Sequence, residues 1–303
     1  QLEAFVQANC LLTQPGLPQL CGEQITIDAR GDAAALVASL VLPLLVPDLP
    51  VALWLPGPGA FDDALLARLR GVIDRLIVDS RDSAAPARDL AAMVAFSAAP
   101  DVPGRRAPAL SDLAWSGLTP WRELTAQFFD TRVLLPHLRR IDRVEIDVVP
   151  GAAPNPVPAL LLAGWLASRL GWAPLEEAVS VEGAVLRLHL RRAAVGVGPS
   201  AIRLVTVEIR SAAARNGEAP GLAALRLLAV DGVRASFAVQ RADTPGFART
   251  TAQVADAPPV GRLARCEEPD TADLLAAELR LLSRDRTFEA ALRAAGAFAA
   301  RLP

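Results

Sequence analysis

Five runs in the second half of the chain alternate apolar and polar residues, and they constrain the fold more than any other feature. The runs are Val185 to Arg191, Ile202 to Arg210, Leu222 to Val230, Val233 to Gln240 and Arg249 to Val254. A period of two is typical of strands that bury one face. Asp231-Gly232 between two of the runs favours a tight type I′ hairpin turn. We therefore predict an antiparallel β-meander.

The two faces of the predicted meander carry different residues. The inward face would hold Val205, Val207, Ile209, Leu225, Leu227, Val233, Phe237 and Val239. The opposite face would include the arginines Arg187, Arg210, Arg226 and Arg234. A half-exposed antiparallel sheet presents a broad patch, so these arginines are candidate contacts for a partner protein. A solvated face explains the same four residues without any partner.

The first hundred residues alternate strand-like and helix-like runs, which predicts an α/β layer. Val51 to Leu55 and Arg75 to Asp79 lack polar alternation, as expected for strands covered on both faces. Phe5 to Leu12 and Glu23 to Ala29 are also strand-like, and Asp32 to Val46 is the first helical run. We predict a Rossmann-like α/β domain over residues 1–109 whose N-terminal part is missing.

An α+β domain is predicted over residues 110–303, with the antiparallel sheet and two C-terminal helices, the first of them capped by Asp270. The breaker-rich segment Asp101 to Pro108 marks the boundary, and Pro150 to Pro158 is the alternative boundary. Arg143 to Val149 is predicted as a strand and Pro158 to Leu170 as a helix. Both would lie in a layer behind the meander.

A block from Asp112 to Asp130 holds two of the five tryptophans of the chain. Thr119 is a good N-cap and Pro120 suits the first helical position, so a helix is predicted to begin here. The simplest interpretation is an amphipathic helix whose aromatic residues fill the core. Tryptophan and arginine are also frequent at interface hot spots, which makes Trp115, Trp121, Arg122 and Glu123 candidates for a docking element.

Composition excludes several classes of function. All 31 basic residues are arginine, so the chain has no lysine for a Schiff base or for a Walker-type phosphate site. A net charge of −2 indicates neither nucleic acid nor an anionic membrane as a partner. The apolar tract from Leu36 to Leu55 is broken by three prolines and an aspartate, so it is not a membrane span.

No motif supports catalysis, a cofactor or a metal site. The two histidines and three cysteines show no triad pattern and no zinc-ligand spacing. The glycine-rich stretch Val195 to Ser200 joins two strands and opens no helix, so we interpret it as a turn. We predict a non-enzyme without a cofactor or a bound metal.

Five blocks in order resemble the glucose-6-phosphate dehydrogenase assembly protein family, OpcA. They are Cys21 to Ile25, Leu40 to Val51 with Trp54 behind it, Asp74 to Ser80, Asp112 to Asp130, and Leu161 to Trp172. The chain departs from the family where Leu55 follows Trp54, where Gly22 follows Cys21, and in lacking a segment ahead of Gln1. The resemblance implies a non-catalytic partner that promotes assembly or activation of glucose-6-phosphate dehydrogenase.

One alternative function stays open at this point. A sugar-phosphate or dinucleotide sensor would use arginines such as Arg75, Arg81 and Arg122 as phosphate forks. This role is compatible with an assembly protein, since a regulator can also sense metabolites. An uncharacterised enzyme is a third class that no motif supports.

Cys10 and Cys21 are candidate redox residues. They lie at similar distances from Pro15-Gly16, so a hairpin turn at that point would place them on opposed strand positions. Two buried free thiols are the simpler interpretation. Three cysteines at unrelated spacing fit a reducing cytoplasm, where we place the protein.

Overall fold

The computed structural model describes most of the chain. The described residues are 1–11, 20–57, 59–101, 106–151, 155–193, 202–214, 219–230, 232–281 and 283–302. The predicted turn residue Asp231, the Pro15-Gly16 turn and the Val195 to Ser200 stretch lie outside these ranges.

The chain divides into two compact units. The smaller unit comprises residues 1–51 and 62–73, and the larger unit comprises residues 52–61 and 74–303. This division differs from the predicted boundary after residue 109. The reason is that the strand that begins at Ala109 pairs in a parallel sheet with the strand of residues 75–78, which makes the two strands parts of the same unit.

The smaller unit contains an antiparallel pair, β1 (Leu2–Leu11) and β2 (Leu20–Ala29). The register pairs Cys10 with Cys21, so the predicted proximity of these positions is confirmed. Cys10 is exposed and disulfide-bonded, so its interpretation as a buried free thiol is wrong. Large apolar residues of this strand pair are exposed: Phe5 is 61% exposed and Val6 is 72% exposed.

Two short helices complete the smaller unit, α1 (Val37–Val41) and α2 (Ala64–Leu69). The helix predicted from Asp32 to Val46 is divided into α1 and two flanking 3-10 turns. Pro43 lies in the second 3-10 turn, where its missing N–H cannot continue an α-helix.

The larger unit begins with a three-stranded parallel sheet in the order β3 (Ala52–Leu55), β4 (Arg75–Val78) and β5 (Ala109–Asp112). Helix α3 (Pro86–Ser97) connects β4 to β5. Every residue of β4 and β5 is buried, as expected for parallel strands. The mixed α/β class is confirmed, whereas the Rossmann-like description is not, because β1 and β2 pair with each other as a separate sheet.

An eight-stranded mixed sheet forms most of the larger unit, in the order β13-β12-β11-β10-β6-β9-β8-β7. Its strands are β6 (Arg143–Val149), β7 (Ala173–Glu182), β8 (Val185–Ala193), β9 (Ile202–Ser211), β10 (Gly221–Ala229), β11 (Ala235–Arg241), β12 (Phe247–Val254) and β13 (Val260–Arg265). The predicted antiparallel pairing of β10 with β11 and of β11 with β12 is confirmed.

Strand β6 lies in the middle of this sheet, so its predicted place in a separate layer is wrong. It pairs parallel with β9 and antiparallel with β10, and the predicted meander is interrupted there. Val144 and Ile146 are fully buried. Glu145 and Asp147 alternate with them and form ion pairs on the opposite face, so β6 satisfies both faces of a central strand.

The inward face follows the sequence prediction at every position except one. Val205, Val207, Ile209, Leu225, Leu227, Phe237 and Val239 are buried. Val233 is 46% exposed because β11 begins only at Ala235.

The other described helices of the larger unit follow β5. They are α4 (Leu113–Gly117), α5 (Thr119–Gln127), α6 (Leu135–Leu138), α7 (Val157–Leu170), α8 (Thr271–Leu279) and α9 (Arg286–Ala299). Helices α7 and α9 approach closely, because an added Cβ at Gly164 would overlap the carbonyl oxygen of Ala291. The predicted N-cap role of Thr119 is wrong: Leu118 holds the cap position, and Thr119 is the first helical residue.

Candidate functional site

The candidate site starts at the carboxyl edge of the parallel sheet, where β4 and β5 end. Asp112 is fully buried there and accepts hydrogen bonds from Ser80 N at 3.0 Å and from Ser80 Oγ at 2.6 Å. Its Oδ1 also accepts from Ala114 N at 3.1 Å, which caps α4. Burial raises the pKa of Asp112 to about 6. Asp112 therefore ties β4 to β5 and sets the start of the helix that carries Trp115.

Trp115 and Arg122 stack on each other between α4 and α5. The guanidinium carbon of Arg122 lies 3.6 Å from the centroid of the Trp115 ring, within the range of a cation–π contact. Arg122 Nη2 donates to Thr119 Oγ1 at 2.8 Å. Burial lowers the pKa of Arg122 to about 10, and the charges of Asp285 and Glu123 oppose this shift.

One nitrogen of Arg122 is buried without a hydrogen-bond partner. Its Nε has no acceptor among the residues that the structure describes. A buried N–H without an acceptor costs free energy, so groups of this kind are uncommon in folded proteins. Arg122 Nε is therefore a local cost to the fold at the stacked pair.

Asp285 connects the stacked pair to α9. Its Oδ2 accepts from Trp115 Nε1 at 2.9 Å. Its Oδ1 accepts from Thr287 N at 2.8 Å and from Phe288 N at 2.9 Å, which caps α9. One carboxylate thus holds the Trp115 ring and begins a helix, so the position of the stacked pair is fixed by the core.

Trp115 and Arg122 line a cleft with a volume of about 1210 Å³. Among the described residues that line it, carboxylates outnumber guanidinium groups by seven to two. The acidic residues are Asp243, Glu267, Glu268, Asp270, Asp273, Glu278 and Asp285, and the arginines are Arg122 and Arg241. Arg241 is paired with Glu268. The described lining of the cleft is therefore acidic, and the stacked pair of Trp115 and Arg122 forms part of it.

The other candidates of the tryptophan block lie elsewhere. Trp121 is 2% exposed and lines a second, mostly apolar cavity of about 850 Å³. Its burial agrees with the interpretation of a core helix and leaves no ring surface for a partner. Glu123 is exposed and does not line the cleft. The structure brings Trp115 and Arg122 together in the lining of the cleft, whereas Trp121 and Glu123 do not line it.

The arginines of the outer sheet face form an ion-pair network. Arg210 lies between Glu145 at 2.5 Å and Asp147 at 3.1 Å, and Arg226 lies 2.6 Å from Asp147. Arg187 pairs with Glu182 and lies 3.1 Å from Glu208. These three arginines therefore do not form an uncompensated basic patch, because neighbouring strands supply carboxylates. Their contact with a partner stays a prediction.

Arg234 differs from the other arginines of this set. It is exposed and precedes β11, so it lies outside the network of strands. Its backbone carbonyl accepts from Ala255 N at 2.7 Å.

Arg75 and Arg81 are engaged within the fold. Arg75 is buried and donates to Ser111 Oγ at 2.6 Å and to two backbone carbonyls, those of Leu281 and Ser283, at 2.8 Å. Arg81 forms a bidentate pair with Asp79. These hydrogen bonds occupy donors that a phosphate would need.

Asp112 and Asp285 hold the site together, although none of the sequence patterns above assigns either residue to it. Each precedes a helix whose first turn it caps. An aspartate directly before an apolar helical run is an N-cap signal, and that signal identifies both residues. It does not reveal their partners, which are distant in sequence.

The described part of the chain offers little for metal binding or thiol chemistry. Within the ranges given above, no group of three or more histidine, cysteine, aspartate or glutamate side chains could hold a metal ion. In the same part of the chain, no helix has the length and apolarity of a membrane span. Cys266 lines the cleft as a buried free thiol, and burial raises its pKa to about 11.

Two family models match the chain over most of its length. Both describe a glucose-6-phosphate dehydrogenase subunit: residues 1–95 match the model of its N-terminal domain, and residues 108–292 match the model of its C-terminal domain. The boundary between the matches falls just before β5.

Cyanobacterial relatives support the same family. A protein of Nostoc punctiforme named "Putative OxPP cycle protein OpcA" is 35% identical over 190 residues, which is 62% of this chain and 39% of that protein. A protein of the same name from Synechocystis is 33% identical over 170 residues, covering 56% of this chain and 33% of the relative. The chain thus spans less than half the length of these relatives.

A solved structure of glucose-6-phosphate dehydrogenase in complex with glucose-6-phosphate aligns with a TM-score of 0.29 at 8% identity, covering 78% of this chain and 67% of that one. A TM-score this low does not indicate a shared fold. The family models decide the relationship: the chain belongs to the glucose-6-phosphate dehydrogenase assembly protein family, OpcA.

Proposed function

We propose that this chain binds glucose-6-phosphate dehydrogenase and raises its activity or promotes its oligomer, without performing chemistry itself. The match of residues 1–95 and 108–292 to the two family models carries this proposal, because both models describe a subunit of that dehydrogenase. The relatives extend well beyond the matched part, so the activity of the complete protein is itself part of the proposal. We place this activity in the cytoplasm.

The mechanism that we propose is a population shift. A bound protein moves an equilibrium between two dehydrogenase states only when its affinity for the two states differs. An affinity about 10⁴-fold higher for the active oligomer would change its population from roughly 1% to roughly 99%. Equal affinity for both states would have no effect on activity, however tight the complex.

The acidic cleft is the better supported docking surface. Arg122 lines the cleft and stacks on Trp115, and arginine and tryptophan are both frequent at interface hot spots. Arg187, Arg210 and Arg226 already have carboxylate partners within the sheet. A partner that used those three arginines would have to compete with these ion pairs.

The alternative function, a sugar-phosphate or dinucleotide sensor, has weaker support. Arg75 and Arg81 use their donors inside the fold. Arg122 lines a cleft whose seven carboxylates repel a phosphate. The electrostatics of the cleft therefore favour a protein partner over an anionic metabolite.

The test is an NADPH-production assay with purified cognate dehydrogenase and increasing amounts of this chain. We expect a higher maximal rate or a higher affinity for glucose 6-phosphate, together with a complex in size-exclusion chromatography. No change in either kinetic constant and no complex would refute the proposal. Turnover by the isolated chain would refute its non-catalytic character.

Arg122→Ala and Arg234→Ala separate the two surfaces. If the cleft is the docking site, Arg122→Ala weakens the complex with the dehydrogenase, while the thermal midpoint of the variant chain stays near that of the wild type. Arg234→Ala then binds like the wild type, since Arg234 is exposed and lies outside the cleft. The reverse result would assign docking to the region around Arg234, just before β11.

A further inference from the structure

We infer that one end of the eight-stranded sheet binds an acidic segment of a partner protein. This inference goes beyond the proposed function, whose docking surface is the cleft. The two surfaces lie at opposite ends of β11, because Arg234 precedes this strand, whereas Arg241, its last residue, lines the cleft. A strand of seven residues separates its ends by roughly 20 Å.

Exposed arginines without a partner in the described part of the chain gather at this end of the sheet. Their side chains form no hydrogen bond or ion pair with any described residue. They are Arg139, Arg140, Arg143, Arg191 and Arg234, which we call the basic end. Among the described residues of this end, Asp142 and Asp256 offset two of the five positive charges, so the end stays basic.

Strand pairing brings two of these arginines to either side of β9. Arg191 of β8 is opposite Leu204, and Arg143 of β6 is opposite Thr206. Directly opposed side chains on one face of a sheet are neighbours, so Leu204 lies beside Arg191 and close to Arg143.

Arg140 and Arg234 extend the basic end to the connection between β10 and β11. A Cβ added at Gly232 would lie 3.6 Å from Arg140 Nη1, so the Arg140 side chain reaches this connection. Arg234 follows two residues later and precedes β11. The basic end therefore extends across several strands of the sheet.

Arginines farther along the same strands have carboxylate partners. Arg187 of β8 is opposite Glu208 of β9 and lies 3.1 Å from it. At the basic end, β9 instead presents Leu204 and Thr206, so it places no carboxylate opposite Arg191 or Arg143. Carboxylates of a partner would occupy these positions, and complementary charge of this kind speeds encounter and excludes wrong partners.

Aliphatic side chains among the arginines favour a protein over a nucleic acid. Leu204 is 64% exposed and Ile202 is 60% exposed, and Val230 and Val233 are exposed near Arg234. Nucleic acid would leave these side chains in water, because its phosphates need only positive charge and its bases stack on aromatic rings. A protein segment that carries an apolar residue between carboxylates covers Leu204 and pairs with both flanking arginines.

Arg191→Glu tests the basic end, and Arg249→Glu is its matched control. Both arginines are exposed on the outer face of the sheet, so both variants are expected to fold, and both change the net charge equally. Arg249 lies on β12, five strands away from β8, which is roughly 24 Å. Leu204→Ser is the third variant, because it removes the exposed apolar side chain and keeps every charge.

The probe is a fluorescein-labelled peptide of about nine residues with a central Glu-Leu-Glu sequence. We expect Arg191→Glu to raise its dissociation constant by at least about tenfold, since the new carboxylate repels the peptide. Arg249→Glu should stay within about twofold of the wild type. Leu204→Ser should raise the dissociation constant by about fivefold or more, because the leucine of the peptide loses its apolar contact.

Equal affinity of the peptide for the two glutamate variants, or no binding to the wild type, would overturn the inference. Tighter binding of a single-stranded thymidine oligonucleotide, weakened by Arg191→Glu and unchanged by Leu204→Ser, would replace the protein segment with a nucleic acid. Self-association that Arg191→Glu abolishes and Arg249→Glu preserves would identify the acidic segment as part of a second copy.

The NADPH-production assay keeps this inference separate from the proposed function. Arg191→Glu should activate the dehydrogenase like the wild type, since the cleft lies at the other end of β11. No activation by the wild type would refute the proposed function, and selective binding of the peptide would still support the basic end. A dehydrogenase complex that Arg191→Glu weakens would identify the dehydrogenase as the acidic partner and overturn docking at the cleft.

Discussion

Replacing Asp112 by asparagine should remove a pH-dependent loss of stability. Burial raises the pKa of Asp112 from 3.8 to about 6 in the folded protein. Protonated Asp112 contributes fully to the free energy of unfolding below pH 3.8. This contribution is lost as the pH rises through 6, because the folded state retains the proton that the unfolded chain releases. A difference of about two pH units corresponds to about 3 kcal/mol.

The assay is urea unfolding of the wild type and Asp112→Asn at intervals between about pH 4 and pH 7. Asparagine keeps the acceptor for Ser80 N and Ala114 N, so the fold should persist. The stability of the variant relative to the wild type should rise by about 2 kcal/mol across this range, because part of the full effect occurs below pH 4. A difference that stays constant with pH would refute the reasoning.

Ser80→Ala provides a second arm of the same experiment. The hydroxyl of Ser80 donates to Asp112 Oδ2 at 2.6 Å, and this hydrogen bond lowers the pKa of the carboxyl. Removing it should raise the pKa of Asp112 further, so the loss of stability should extend to higher pH. A shift toward lower pH would contradict the assignment of the transition to Asp112.

The remaining predictions concern packing, the disulfide and the ion-pair network. Gly164→Ala should destabilise the protein by about 1–3 kcal/mol in urea unfolding, because its Cβ would overlap the backbone of Ala291. The control is Gly117→Ala, whose Cβ would meet no atom closer than 4.0 Å and which should change stability by less than about 1 kcal/mol. Cys10→Ser should lower the stability of the smaller unit by about 2–3 kcal/mol, and equal protection of wild type and variant in hydrogen exchange would contradict this. Arg210→Met should destabilise by about 1 kcal/mol or more at low salt and less at high salt, since it leaves three carboxylates together; a salt-independent effect would count against an electrostatic cause.

Local patterns predict several elements correctly. The alternation from Ile202 to Gln240 identifies the buried face of the sheet, because a period of two in sequence is a direct consequence of strand geometry. The predicted cap at Asp270 is confirmed, since its side chain accepts from Asp273 N at 2.8 Å. Signals of this kind depend on neighbours within a few residues of each other.

The strand order cannot be predicted in the same way. The pattern of β6 predicts a strand with one apolar and one charged face. Such a strand can lie in a separate layer or at the centre of a sheet. Its place between β9 and β10 depends on Glu145 and Asp147 meeting Arg210 and Arg226. Those partners are more than sixty residues away in sequence.

The sequence by itself determined the family, the strand faces and the helix cap at Asp270, because each is encoded by residues that are close along the chain. Only the tertiary structure decided which arginines are available to a partner. It paired Arg210 and Arg226 with carboxylates of β6, and it placed Arg122 on Trp115 in the lining of a cleft. The availability of a charged group depends on what surrounds it in space, and folding brings those surroundings together from distant parts of the chain.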